Sequence, residues 1–372
     1  MIPVNKPSIY PEMYNLTKEA LDSGWLSGEG PMVRTFEIEF SRYIKTRYGS
    51  ATNSGTAALH LAVVALGIGK GDEVLIPALT IASCYFAVWY AGATVIPVDI
   101  DPETYTINPV LIEKSITKKT RAVMPVHLYG HPCDMDPIMQ IAKKHNLYVI
   151  EDAAEAHGAE YKGRKVGAFG DISIFSFYAN KIVTCGEGGM LLTNNKSIYE
   201  RAVRLKSLSH SKKRRFVHDA IGYNYQMTNV QAAIGLASFS HINESIQKKR
   251  MMAQFYTDRL KRVPGLILPT EKPWAKNVYW MYAARIKQKT FGMNRDALID
   301  KLLINNIQTR TFFFSPRTAF KKFRVFQNRH YPVAEMVEKE GLYLPSGLGN
   351  TKSEMLTVVS VIKQLATFTY ET

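Results

Sequence analysis

"RAVMPVHLYGHPCDMDPIMQIAKKHNLYVIEDAA", residues 121–154, contains the alternation on which the fold turns. "RAVMPVHLYG" is a short apolar run rich in Val, Met and Leu, and reads as a strand. "DPIMQIAKKHN" spaces its apolar residues at three and four, as an amphipathic helix does. "LYVIEDAA" is again short and apolar, and ends in two carboxylates, Glu151 and Asp152. A strand, a helix and a second buried strand predict two parallel neighbours joined by a right-handed crossover.

The same alternation extends outward on both sides. "GTAALHLAVVALGI" (55–68) reads as a helix, "DEVLIPA" as a strand, and "ASCYFAVWYAGA" as a helix. "TVIPVDID" follows as a strand and "PVLIEKSI" as a helix. Beyond residue 154, "DISIFSF" and "GGMLLTNN" read as two more strands. The expected fold class is therefore α/β, with a mostly parallel sheet covered by helices on both faces. The texture changes after about residue 240. "INESIQKKRMMAQFYTDRLKRV" (242–263) is a long charged amphipathic helix fit to bridge two domains. "YWMYAARIKQ", "RDALIDKLLINN" and "EMLTVVSVIKQLATF" predict a smaller α+β domain. The expected division is 1–240, with an N-terminal arm 1–30, and 241–372.

The chain has 372 residues, enough for two domains, with 46% apolar and 21% charged residues. No apolar run is long enough to suggest a membrane helix. The start, "MIPVNKPSIY", has no secretory pattern. Three cysteines, Cys84, Cys133 and Cys185, have no metal-ligand spacing, so no metal site and a reducing cytoplasm are expected. The net charge of +15 favours anionic partners. Its densest run, "SKKRR" (211–215), is short, no nucleic-acid module surrounds it, and it reads as a solvated loop.

Lys181 lies in "FSFYANKIVTCGEGG" (175–189), between two predicted buried strands. A lysine there is in a costly place unless it has a partner. Asp152, at the carboxyl end of a strand where ligands of parallel sheets bind, supplies one, although a carboxylate there is also an ordinary helix cap. A buried lysine and a buried aspartate on neighbouring strand ends suit pyridoxal phosphate. The lysine holds the aldehyde, and the carboxylate keeps the ring nitrogen protonated. "NSGTAALH" (53–60) puts Ser54, Gly55 and Thr56 at a helix start, where amides and dipole favour a phosphate; a plain Ser/Thr cap reads equally well. Ser176 is close enough in sequence to add a hydroxyl.

Several stretches together resemble the DegT/DnrJ-type nucleotide-sugar aminotransferases, a branch of the aspartate-aminotransferase-like fold. These are "SGTAALHLA", "GDEVLIPALT", "YAGATVIPVDID", "HLYGHPCDMD", "VIEDAAEAHGA", "GDISIFSFYANKIVTCGEGGM" and "IGYNYQMTN". The likeness runs nearly end to end. It implies a large domain with a seven-stranded-type sheet, pyridoxal 5'-phosphate as cofactor, and a homodimer with shared sites. Lys181 matches the lysine that holds the cofactor and moves the proton, and Asp152 the partner of the ring nitrogen. Gly55, Thr56 and Ser176 match phosphate contacts. Asn224 matches a residue that reaches the phosphate from the neighbouring subunit. Glu155 stands where many relatives have Gln; the resemblance implies Glu in the perosamine-type subset, which aminates C4 of GDP-4-keto-6-deoxymannose at the expense of L-glutamate.

Some positions depart from the family pattern. Ile81 replaces an aromatic residue that stacks on the cofactor ring, a loss of about 0.5–1.5 kcal/mol for which Tyr85 is a possible replacement. Gln226 replaces an Arg, and "TFFFSPRT" (311–318) replaces a different segment; both are expected to touch substrate. Cys185 stands where Thr is usual and reads as a small packed residue. The nucleotide sugar is expected against "GWLSGEG", "RRFVHD" and "RTFFFSP", with Trp25, Ser27, His218, Arg310 and Phe314 as its contacts. The alternatives are a dTDP- or UDP-linked 4-keto-6-deoxy sugar, a sugar dehydratase, which in this resemblance carries His in place of Lys181, or a non-catalytic regulator.

Overall fold

The structure, a computed structural model, describes residues 1–211, 214 and 216–367. Lys212, Lys213 and Arg215 of the basic run, and so part of "RRFVHD", lie outside the described residues.

Seven strands form the central sheet: β1 (Tyr48–Thr52), β2 (Glu73–Pro77), β3 (Thr94–Val98), β4 (Thr120–Val123), β5 (Tyr148–Asp152), β6 (Ile172–Ser176) and β7 (Gly189–Thr193). Their spatial order is β1-β7-β6-β5-β4-β2-β3. The neighbours from β6 to β3 all pair in parallel, and β7 alone runs against both its neighbours. The run around β4 is shorter than the sequence suggests. The strand ends at Val123, and "HLYG" makes a tight turn at Leu128–Gly130 with Tyr129 in the left-handed conformation. The sheet is covered by α1 (Gly55–Ala65), α2 (Ala82–Tyr90) and α3 (Met135–His145), the crossover helices of the expected βαβ units. α1 starts where it does because Ser54 is extended and its Oγ accepts the Ala57 N–H at 3.1 Å. α3 stops at Asn146, which takes the left-handed conformation.

A long helix, α4 (Ile242–Leu260), leads to a second sheet built from β8 (Leu266–Ile267), β9 (Tyr282–Ile286), β10 (Arg310–Thr311) and β11 (Gly341–Leu344), ordered β8-β9-β11-β10. Helices α5 (Arg295–Ile304) and α6 (Lys352–Thr367) pack with α4 around its core, through Leu298, Leu302, Val358 and Ile362. Packing does not simply follow the chain order. Phe312, Phe320, Phe326, Tyr331 and Tyr343 belong to the core of the first sheet, and Ile2 of the N-terminal arm bridges to Ile307 of the second. The expected boundary at 240/241 thus marks a change of element, while the segment 312–343 folds back over the sheet ends. That return brings "TFFFSP" to the site. Among the described residues no helix is long and apolar enough to cross a membrane, and none of the acidic, His or Cys groups clusters as a metal site.

Candidate active site

The carboxyl ends of β5 and β6 and the start of α1 open on one cavity of about 690 Å³. Ser54, Gly55, Thr56, Ile81, Asp152, Glu155, Ser176, Lys181, Arg310 and Phe314 all line it. Ten residues expected at the site from sequence therefore meet there, although they span 261 positions of chain (314 minus 54, plus one).

Lys181 is placed by a loop that folds back on itself. After β6 the chain turns, Lys181 N donates to Tyr178 O at 2.9 Å, and Cys185 N donates to Phe177 O at 2.9 Å. Gly186 takes φ +79°, where a side chain would be strained. Trp280 secures the loop from the second sheet's side: its Nε1 donates to Asn180 O at 2.9 Å, and its ring face lies 3.8 Å from Lys181 Nζ. Lys181 Nζ is 3.6 Å from Glu155 Oε1. Burial lowers the Lys181 pKa below its ordinary value, while Glu155 and Asp152 pull it back up. The groups beside it are two carboxylates and an indole, so burial alone favours the neutral amine.

Asp152 is fully buried, and its carboxylate is fixed from two sides. Oδ1 accepts the Ala154 N–H at 3.0 Å, and Oδ2 accepts the Cys84 thiol at 3.1 Å. Burial raises its pKa against these bonds and against Lys181. Glu155 is also raised, to about 7, by burial, which outweighs Lys181 and the Tyr129 N–H.

These two acids give a pH prediction. An acid whose pKa is higher folded than unfolded stabilises the fold only at low pH, and that contribution is lost as pH rises through the folded value. For Glu155 the window runs from its ordinary 4.5 to about 7. At roughly 1.4 kcal/mol per unit, Glu155→Gln is expected to gain about 2–4 kcal/mol relative to the wild type between pH 5 and pH 8. Urea denaturation of the cofactor-free proteins at the two pH values measures it; a constant difference would contradict the geometry.

The residues present fit pyridoxal phosphate. At the phosphate end, a Cβ on Gly55 would stand 2.8 Å from Ser176 Cβ, so only glycine lets the first turn of α1 approach that hydroxyl. Thr56 Oγ1 is held at 2.8 Å from Ser83 Oγ. At the other end, Asp152 is a buried acid with a raised pKa, a group that a cationic ring nitrogen would ionise. Ile81 is 40% exposed and lines the cavity wall. Tyr85 does not take its place. It is buried against Trp89, Phe320 and Phe326, away from the lining, because α2 turns it into the core.

Other expected residues lie elsewhere in this chain. The Trp25 and Ser27 carbonyls accept from Asn229, and Trp25 is half exposed. His218 is on an outer loop, its Nδ1 2.7 Å from Leu208 O. Asn224 bridges to Ser207, and its carbonyl accepts from Asn53 Nδ2 at 3.4 Å. Gln226 pairs with Thr52. None of these five lines the cavity. Sequence reasoning missed Trp280, Cys84 and Tyr343, and named Phe312 and Phe313 only as part of the "TFFFSPRT" segment. Trp280 sat in a run that reads only as part of the smaller domain, and Cys84 was weighed only for metal spacing and redox state.

Comparison with known proteins agrees with this geometry. GDP-perosamine synthase of Escherichia coli O157:H7 is 41% identical over 364 residues, covering 98% of each chain. The GDP-perosamine synthase of Caulobacter vibrioides is 39% identical over 348 residues, 93% of each. The crystal structure of S. venezuelae DesV in complex with a ketimine intermediate superposes with a TM-score of 0.88 at 34% identity, covering 95% of this chain and 94% of that one. Residues 7–363 match the model of the DegT/DnrJ/EryC1/StrS aminotransferases. With its lysine, its buried acid and its fold of the same kind, the chain belongs to the DegT/DnrJ/EryC1/StrS aminotransferase family, and is a sugar aminotransferase.

Proposed function

We propose that this aminotransferase moves an amino group from L-glutamate to C4 of GDP-4-keto-6-deoxymannose, giving GDP-perosamine, with pyridoxal 5'-phosphate as cofactor. The observation that carries the reading is the convergence of Lys181, Asp152 and Glu155 in a cavity of about 690 Å³, within a chain so similar to GDP-perosamine synthases. A cavity of that size suits a cofactor and a sugar together.

Pyridoxal phosphate supplies the electron-accepting ring on which amino transfer depends. The chain's own groups do the rest. Ser54, Gly55, Thr56 and Ser176 hold the phosphate, and Asp152 holds the ring nitrogen. Lys181 carries the proton at Nζ, and its burial keeps the neutral, accepting form within reach. Glu155, 3.6 Å from Nζ, is the carboxylate that pairs with its charged form. Arg310 at the cavity wall faces the diphosphate, and Phe314 the sugar-nucleotide beside it. Trp25, Ser27, His218 and Asn224 belong to the site through a homodimer, each completing the cavity of the neighbouring copy. The three cysteines are free and buried, which supports work in a reducing cytoplasm.

A half-reaction tests the acceptor. The enzyme is loaded with an amino group from glutamate, freed of donor, and mixed with GDP-4-keto-6-deoxymannose or its dTDP and UDP counterparts. The visible absorbance is expected to return at least tenfold faster with the GDP sugar, about 1.4 kcal/mol of discrimination. Faster return with a dTDP or UDP sugar would keep the chemistry and replace the substrate.

A further inference from the structure

Tyr129 is buried and does not line the cavity, yet it touches both halves of the site. It adopts φ 56°, ψ 14°, a left-handed conformation rare for an aromatic residue, and Gly130 follows at φ +98°. Such backbone persists where its surroundings over-determine it. On one side the Tyr129 N–H donates to Glu155 Oε2 at 2.8 Å. On the other, its phenol oxygen accepts the Phe313 N–H at 3.2 Å, and its ring lies 5.7 Å from Phe313, nearly parallel, and 4.8 Å from Phe312. Phe312 and Phe313 are cavity wall. The turn itself is held from below: Cys133 N donates to His127 Nδ1 at 3.0 Å, and His127 Nε2 is 3.2 Å from Glu151.

We propose that Tyr129 is a positioning residue that links the acceptor wall to Glu155: its phenol fixes Phe313 and its backbone N–H fixes the carboxylate that faces Lys181. Resting on the acceptor site proposed above, this gives the nucleotide sugar a route to the proton-handling end of the cavity. A sugar that presses on Phe313 bears on Tyr129, and Tyr129 carries the hydrogen bond that sets Glu155. The conformation makes the link stiff, since a left-handed tyrosine packed among Phe312, Phe313 and Tyr343 has no second arrangement at hand.

Tyr129→Phe keeps the ring and the turn and deletes the hydroxyl that accepts the Phe313 N–H and meets the Tyr343 hydroxyl. One net hydrogen bond corresponds to roughly a three- to tenfold change in an equilibrium constant. In the cofactor-loaded enzyme, Kd for the nucleotide sugar by calorimetry and KM for the acceptor half-reaction are expected to rise by that factor. The glutamate half-reaction is expected to stay within twofold. On a Glu155→Gln background the acceptor effect is expected to shrink, because contacting residues couple. A second readout does not depend on which sugar is the substrate. The groups facing Glu155 are Lys181, Asp152, Cys84, Tyr343, the Tyr129 phenol and the Tyr129 N–H. Loosening the last of these is expected to raise the pH midpoint of the visible absorbance of the loaded enzyme. An unchanged Kd for a sugar that the wild type binds, or the full effect persisting with Glu155→Gln, would overturn the link. If the wild type binds none of the nucleotide sugars, the acceptor reading has failed on its own account, and the absorbance midpoint still decides: a shift supports the link between Tyr129 and Glu155, and no shift overturns it.

Discussion

Lys181→Ala is expected to lower kcat by on the order of 10³–10⁴ and to remove the visible absorption that added pyridoxal phosphate otherwise gives. The lysine's place explains the size. Nζ lies between Glu155 and the face of Trp280, at 3.6 Å and 3.8 Å, and the described residues offer no other lysine lining this cavity. Glu155, Asp152 and Cys84 can accept or donate protons there, but none is an amine. Lys181→Arg is the sharper control. It keeps a cation beside Glu155 and over Trp280, yet a guanidinium does not give up its proton at any working pH. If charge alone mattered, Arg would restore most of the activity; if a neutral amine is needed, Arg will be as inactive as Ala. The measurement is steady-state turnover together with the absorption spectrum. More than a tenth of wild-type turnover in Lys181→Ala would remove the lysine from its assigned role.

Asp152→Asn is expected to cost about 10²–10³ in kcat, the scale seen when one preorganised electrostatic group is deleted, while the protein still folds and takes up cofactor. Asn keeps an oxygen for the Ala154 N–H. It lacks the negative charge, and with that oxygen on Ala154 its amide nitrogen faces Cys84, where it cannot accept the thiol as Oδ2 does. Because the buried acid is uncomfortable when charged, its replacement should not weaken the cofactor-free fold at pH 8. Loss of activity with intact or raised stability would mark a group placed for chemistry. Loss of both would mark Asp152 as a structural residue. Single-turnover rates and thermal denaturation of the same preparation separate the two.

Much of this was legible in the chain. Short apolar runs alternating with amphipathic helices have few stable arrangements, since a sheet so apolar must be covered on both faces. Lys181, Asp152, Ser54 and Gly55 were legible because each sits at an element boundary, and in a parallel sheet the carboxyl ends of the strands gather at one edge. What the sequence determined by itself was therefore the fold class, the edge that bears the site, and the lysine and acid that face each other across it. The tertiary structure alone decided what surrounds them. Trp280 reaches Lys181 from about a hundred residues downstream, Cys84 turns its thiol onto Asp152, and Tyr85 turns away from the cavity that Ile81 lines. Local periodicity gives the face of an element but not what that face meets. Those meetings depend on how the second sheet and the segment 312–343 pack back onto the first core, a long-range outcome of burying aromatic rings that no stretch of sequence states on its own.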